Sequence, residues 1–299
     1  MKRSKIVLVV SFLAFSSIVF GQDYAFKVMA VKGVNEVKSG SDSWQAIKAF
    51  AILKSGDELR ISDNSYLGLM HNSGKPIELM KPGNFKVADL ASQISGGASV
   101  LNKYTDFILS SNSAEAKKNR LSATGAVHRG LNDIKVYLPE NQYSGIYNDE
   151  AIINWEAKSK GPYVVSFKNM FDEELKSLET PETSITIKLT DPSFANETAV
   201  LVEVKSKADM KSKSEQHLIK HLSTAERDRV KKSLSEISDE ISKPTALNKF
   251  IMAGFYEENK LYIDAITMYE QAIKLSPDVP TYKEAYEEFL LRNKFKTPN

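Results

Sequence analysis

The stretch Gly56-Asp-Glu-Leu-Arg-Ile-Ser-Asp-Asn-Ser-Tyr-Leu-Gly-Leu-Met70 decides the fold of the first third of the chain. Glu58 to Ile61 alternates polar and apolar, Asp63-Asn64-Ser65 is a turn, and Tyr66 to Met70 starts a second run. Two short strands joined by a turn fit this pattern, with Leu59, Ile61, Leu67 and Leu69 on a core face. The rhythm continues outward in Phe26 to Val31, Val34 to Lys38, Ile77 to Leu79 and Phe85 to Leu90. Ser39 to Ser43, Ser73 to Pro76 and Lys81-Pro82-Gly83 punctuate it. Strands of three to six residues at near-regular spacing predict a β-sandwich or small roll over 24–136. Gly56, Gly74 and Gly83 are assigned to turns that need positive φ. Trp44 is assigned to the core. Val100 to Leu109 has helical spacing, and the polar run Ala114 to Arg120 reads as an exposed loop whose Lys117, Lys118 and Arg120 face solvent. Thr124 to Gly130 closes the unit, with His128 alone in it.

The ordered set Gly33-Val34, Val37, Trp44, Leu53-Lys-Ser-Gly56-Asp57-Glu-Leu59, Ser65 to Leu69, Gly74, Ile77 to Leu79 and Pro82-Gly83 resembles the FecR family domain. The resemblance covers about 65 residues and its single motifs are loose. It implies an envelope location and a binding module. The regulator that names the family couples such a domain to a cytoplasmic anti-sigma segment, which this sequence lacks, so sigma-factor control is not implied.

Residues 137–206 bring a second strand series: Ala151 to Trp155, Tyr163 to Phe167, a weak run at Leu175 to Leu178, Ser184 to Leu189 and Thr198 to Val204. Short antiparallel strands with one early Trp predict a sandwich. Ile153-Asn-Trp155 followed by Tyr163-Val-Val-Ser is similar to fibronectin type III and immunoglobulin-like modules. Trp155 is expected to be buried, contributing ~2–4 kcal/mol through its area.

Residues 207–222 read as a lysine-rich linker, and 223–299 as helical. Ser223-Thr224 with Glu226 is an N-cap signal. Val230, Leu234, Ile237 and Ile241 share one face of a helix over 224–241. Met252-Ala253-x-x-Tyr256, then Ala265-x-x-x-Tyr269-x-x-Ala272 and Pro277, resembles one tetratricopeptide repeat. Small Ala253, Ala265 and Ala272 let two helices approach, the tyrosines fill the gap, and Pro277 ends the second helix. One repeat cannot bury its own faces, so helices 224–241 and 281–295 are expected to cap it. The resemblance implies a protein partner bound through 245–295.

Residues 1–21 carry Lys2, Arg3 and Lys5 ahead of an apolar run from Ile6 to Phe20, with a cut placed before Gln22. This is the layout of a secretory signal, and the run is short of the ~20 residues of a spanning helix. An uncleaved anchor is the rival reading. Cleavage leaves 37 basic against 38 acidic side chains, so no broad field attracts nucleic acid. Cysteine is absent, which excludes disulfides and thiolate chemistry.

No phosphate loop, hydrolase elbow or dinucleotide fingerprint occurs. His217 and His221 lie four apart without the Glu of a zinc helix and read as a surface pair. Asp172-Glu-Glu174 reads as a solvated loop. No catalytic residue, cofactor or metal is expected. The expectation is a multidomain β plus α protein, each part with its own core: a FecR-like β domain, a β-sandwich, then helical hairpins. Its expected role is a non-enzymatic scaffold, periplasmic or outer-surface associated in a Gram-negative envelope. The first domain would bind an envelope component. A sensor or accessory of a signalling or uptake system is the alternative, and a cell-wall hydrolase the last.

Overall fold

The computed structural model describes residues 24–94, 99–123, 134–209 and 211–297. The expected signal at 1–21 and the segment Thr124 to Gly130, His128 included, lie outside the described residues. Among those described, no helix is long and apolar enough to cross a membrane.

The first unit holds β1 (Phe26–Lys32), β2 (Asn35–Ser39), β3 (Gln45–Ala46), β4 (Ile52–Leu53), β5 (Asp57–Ile61), β6 (Tyr66–His71), β7 (Pro76–Leu79) and β8 (Gly83–Lys86). They pair antiparallel in two sheets, ordered β4-β1-β6-β7 and β3-β2-β5-β8. Phe26, Val28, Leu59, Ile61, Leu67 and Leu69 close the space between the sheets, as the alternation predicts. The expected strand Phe85 to Leu90 is corrected. It ends at Lys86, and α1 (Val87–Ser92) follows, because Val87 and Leu90, three apart, turn onto the same core.

β1 and β6 are buried on both faces. Met29, Ala30, Tyr66 and Met70 point away from the sheet–sheet core into a helical layer. A strand apolar on both sides needs cover on both sides. The cover includes α2 (Leu101–Ser111), whose Leu101, Tyr104 and Ile108 are buried. The expected loop at Ala114 to Arg120 is a helix, α3 (Ala114–Ala123), started by the Ser113 hydroxyl, which accepts the Ala116 N–H.

The second unit is a two-sheet sandwich. Its strands are β9 (Ile134–Val136), β10 (Gly145–Ile146), β11 (Glu150–Ala157), β12 (Tyr163–Lys168), β13 (Glu174–Thr180), β14 (Ser184–Lys188), β15 (Ala199–Ser206) and β16 (His217–His221). One sheet runs β14-β11-β9 and the other β10-β16-β15-β12-β13. Trp155 lies in the core, edge-on to Tyr163 at 5.5 Å. The expected linker 207–222 is corrected. His217 sits opposite Val202 as β16 pairs with β15, Ile219 enters the core, and Ser212 and Ser214 bond the end of β15. Lysines hid a strand whose apolar part is only Leu218-Ile219.

The helical unit contains α4 (Thr224–Ser235), α5 (Ala246–Glu258), α6 (Tyr262–Leu275) and α7 (Pro280–Arg292). Ser223 and Glu226 form a full capping box on α4, which stops at Ser235, short of 241. Ala253, Tyr256, Ala265, Tyr269 and Ala272 are buried where α5 and α6 meet, and Pro277 lies exposed past the end of α6. The cap beside α5 differs from expectation. It is α2, which approaches so closely that a Cβ on Gly254 would lie 2.6 Å from Ile108. The two β units keep separate cores, but the expectation of a separate core for the helical unit is corrected. One apolar cluster runs from β1 and β6 through α2 to α5, α6 and α7, and Ile263 of α6 belongs to the sandwich core.

Candidate functional site

The helical unit is tied to the sandwich by one polar face of α6. Asp264 is fully buried, and its carboxylate accepts the backbone N–H groups of Tyr147 and Asn148, both at 2.8 Å, and the Asn148 amide at 2.7 Å. Burial pushes this carboxyl up to about 6, against the pull of those three donors. One turn on, Thr267 Oγ1 accepts the Ile152 N–H of β11 at 3.0 Å and donates its own hydrogen bond to the Ile263 carbonyl. A further turn on, Asn154 donates to Glu270 at 2.7 Å and to Tyr286 at 2.8 Å, while Gln271 donates to Glu150. Residues 264, 267, 270 and 271 share a helix face by spacing alone. This stripe satisfies a strand and a loop.

α7 ties the same unit to the first β unit. Thr281 Oγ1 accepts the Val31 N–H at 3.2 Å. Tyr282 and Tyr66 share a hydroxyl–hydroxyl bond at 2.8 Å, and Tyr66 donates to Glu78 at 2.5 Å. Lys32 pairs with Asp278, and Arg120 of α3 pairs with Glu288. The solvent-facing reading of Arg120 is therefore corrected. Part of the surface of 245–295, where a protein partner is expected, packs against the chain's own β1, β6, β11 and α2.

An open cleft of about 490 Å³ lies on the outer face of the β3-β2-β5-β8 sheet. Alternation on β5 makes it: Leu59 and Ile61 enter the core, so Glu58 and Arg60 stand outward. β8 lies beside β5 with Phe85 opposite Leu59, and α1 closes the end. Trp44, assigned to the core from sequence, is only partly buried and forms one wall. The Arg60 guanidinium lies 4.1 Å above its ring and bonds Glu36 at 3.2 Å. Stacking and the ion pair together fix that side chain. Asn84, Lys86, Asp89 and Gln93 complete the polar lining. Sequence reading missed this site because β3 is two residues long and Trp44 precedes it in a turn-rich stretch. The usable signal was charge on both outward positions of β5.

The other assigned residues are structural. Asp57 is buried and accepts the Ser39 hydroxyl and the Lys54 N–H, both at 2.7 Å. Gly74 has φ +82, and a Cβ there would lie 2.8 Å from the Ser99 Cβ. Gly83 also has positive φ, whereas Gly56 does not, which corrects that assignment. Pro82 is exposed beside Gly83. His217 and His221 lie on β16, with burial holding the His217 ring below its ordinary value. Glu174 opens β13, and Asp172 and Glu173 lie in the β12–β13 turn. There Asn169 Oδ1 accepts the N–H groups of Phe171 and Glu173 and leaves Phe171 86% exposed.

No protein-family model matches the chain, and no curated protein matches it.

Proposed function

We propose that the chain is an exported, non-enzymatic binding and scaffold protein of a Gram-negative envelope, with the ligand site on its FecR-like first unit. The observation that carries this reading is the Trp44 cleft. It lies on the outer face of the β3-β2-β5-β8 sheet, is closed at one end by α1, and gathers an aromatic wall with several polar groups. Sites of 300–1,000 Å³ with a few convergent polar groups are the usual form of ligand pockets. The signal-like 1–21 segment supports export. The strand order of the sandwich supports an immunoglobulin or fibronectin type III-like spacer. The helical unit serves inside the protein: α6 and α7 hold the two β units in a fixed relation.

The test is retention on isolated envelope. The mature chain from Gln22 is mixed with envelope sediment, and the bound fraction is measured beside Trp44→Ala. Retention that depends on Trp44 supports the reading. No retention, or retention indifferent to Trp44→Ala, overturns it.

A further inference from the structure

We infer that the Trp44 cleft takes a neutral saccharide, a conclusion that rests on the binding role just proposed and names the ligand class of the same site. Three features of the lining carry it. The first is charge. Glu58 and Asp89 stand against Arg60 and Lys86, so the cleft walls carry no net charge, and Arg60 is already paired with Glu36. A phosphate or polyanion would meet two carboxylates and no surplus cation. The second is polarity. The lining mixes polar groups with Trp44 and Phe85, and the cleft is open, whereas an acyl chain needs an enclosed apolar cavity.

The third is the kind of polar group. Carboxylates, amides and a guanidinium each present two adjacent polar atoms in one plane. Neighbouring hydroxyls on a sugar ring donate and accept at matching spacing. Asn84 and Gln93 offer both roles, Glu58 and Asp89 accept, and Arg60 donates. The apolar C–H face of a pyranose needs a flat partner; at the cleft wall this is the Arg60 guanidinium stacked on Trp44, not a bare indole face. Arg60 is held over that ring before any ligand arrives, so little rotamer freedom is lost on binding.

The chain has two tryptophans, Trp44 in the cleft wall and Trp155 in the sandwich core, so fluorescence separates them. The full mature chain, carrying Trp155→Phe to leave Trp44 as sole reporter, is titrated with chitotetraose, cellotetraose and maltotetraose. Calorimetry on the unsubstituted chain and inorganic phosphate as the anionic control complete the set. The expected result is a saturable change in Trp44 emission, with acrylamide protection, for at least one saccharide and none for phosphate. In calorimetry, Trp44→Ala weakens that saccharide roughly tenfold or more, the scale of a tryptophan anchor. Asn84→Ala, an exposed change that leaves the core alone, weakens it by a smaller factor. Unaltered far-ultraviolet circular dichroism keeps misfolding out of the comparison. Silence to every saccharide at millimolar concentration, a response to phosphate alone, or saccharide binding indifferent to Trp44→Ala overturns the inference. Envelope retention that depends on Trp44 alongside silence to saccharides removes the saccharide and leaves the binding role standing. Loss of both removes both.

Discussion

Arg292 at the end of α7 reaches Glu257 on α5 with two parallel bonds, 2.6 Å from Nε and 2.5 Å from Nη2. Asn293 adds a third donor to the same carboxylate, and the buried Tyr269 of α6 adds a fourth at 3.2 Å. One carboxylate thus binds all three helices. Paired fork geometry of this kind is the strong form of the ion pair.

Removing one partner leaves a buried charge unmatched. Arg292→Ala is expected to cost about 3–5 kcal/mol in urea unfolding, and Glu257→Gln less. The double change Glu257→Leu with Arg292→Met is expected to recover most of the loss. Equal losses in the single and double variants would show that the pair contributes packing alone.

The pH dependence follows from Asp264. Its folded value of about 6 lies above the ordinary aspartate value, so the folded state holds the proton more tightly. Its stabilising contribution is therefore complete in acid and is lost as pH rises from about 4 through 6, by at most about 3 kcal/mol. Asp264→Asn has no such slope. Unfolding midpoints at several pH values should show the gap between variant and parent moving in the variant's favour as pH rises. Movement the other way would mean that the three N–H donors outweigh burial.

Gly254 sits where α2 crosses α5. Alanine there gains helix propensity of up to about 1 kcal/mol but must displace the Ile108 side chain. Gly254→Leu is expected to cost more than about 2 kcal/mol by forcing α2 away. Adding Ile108→Ala to it should restore part of that loss in thermal unfolding.

The two tryptophans should behave unlike each other. Trp155→Ala is expected to cost about 3–5 kcal/mol, as a large core side chain does. Trp44→Ala, at a partly open wall, is expected to cost about 1 kcal/mol or less. Chemical unfolding of both variants checks this. Comparable losses would return Trp44 to the core.

Most strands were legible because their periods are local. Leu59 and Ile61, or Ile185 and Ile187, alternate within a few residues, and that fixes a face without reference to the rest of the chain. The capping box at Ser223 and Glu226 is local in the same way. What escaped is contact between distant segments. Asp264, Thr267 and Glu270 are polar at helical spacing, and only the presence of β11 beside α6 turns that stripe inward. β16 escaped because pairing with β15, not its own composition, makes it a strand. The cleft escaped because Trp44 and Arg60, sixteen positions apart, meet only when β2, β3 and β5 are in register.

The bond between Val31 and Thr281 joins residues 250 positions apart. The outer faces of β1 and β6 leave the ribosome well ahead of α7, which helps to cover them. Until α7 has emerged, Met29, Tyr66 and Met70 lack that lid, and nascent or truncated chains present a sticky sheet to chaperones and proteases.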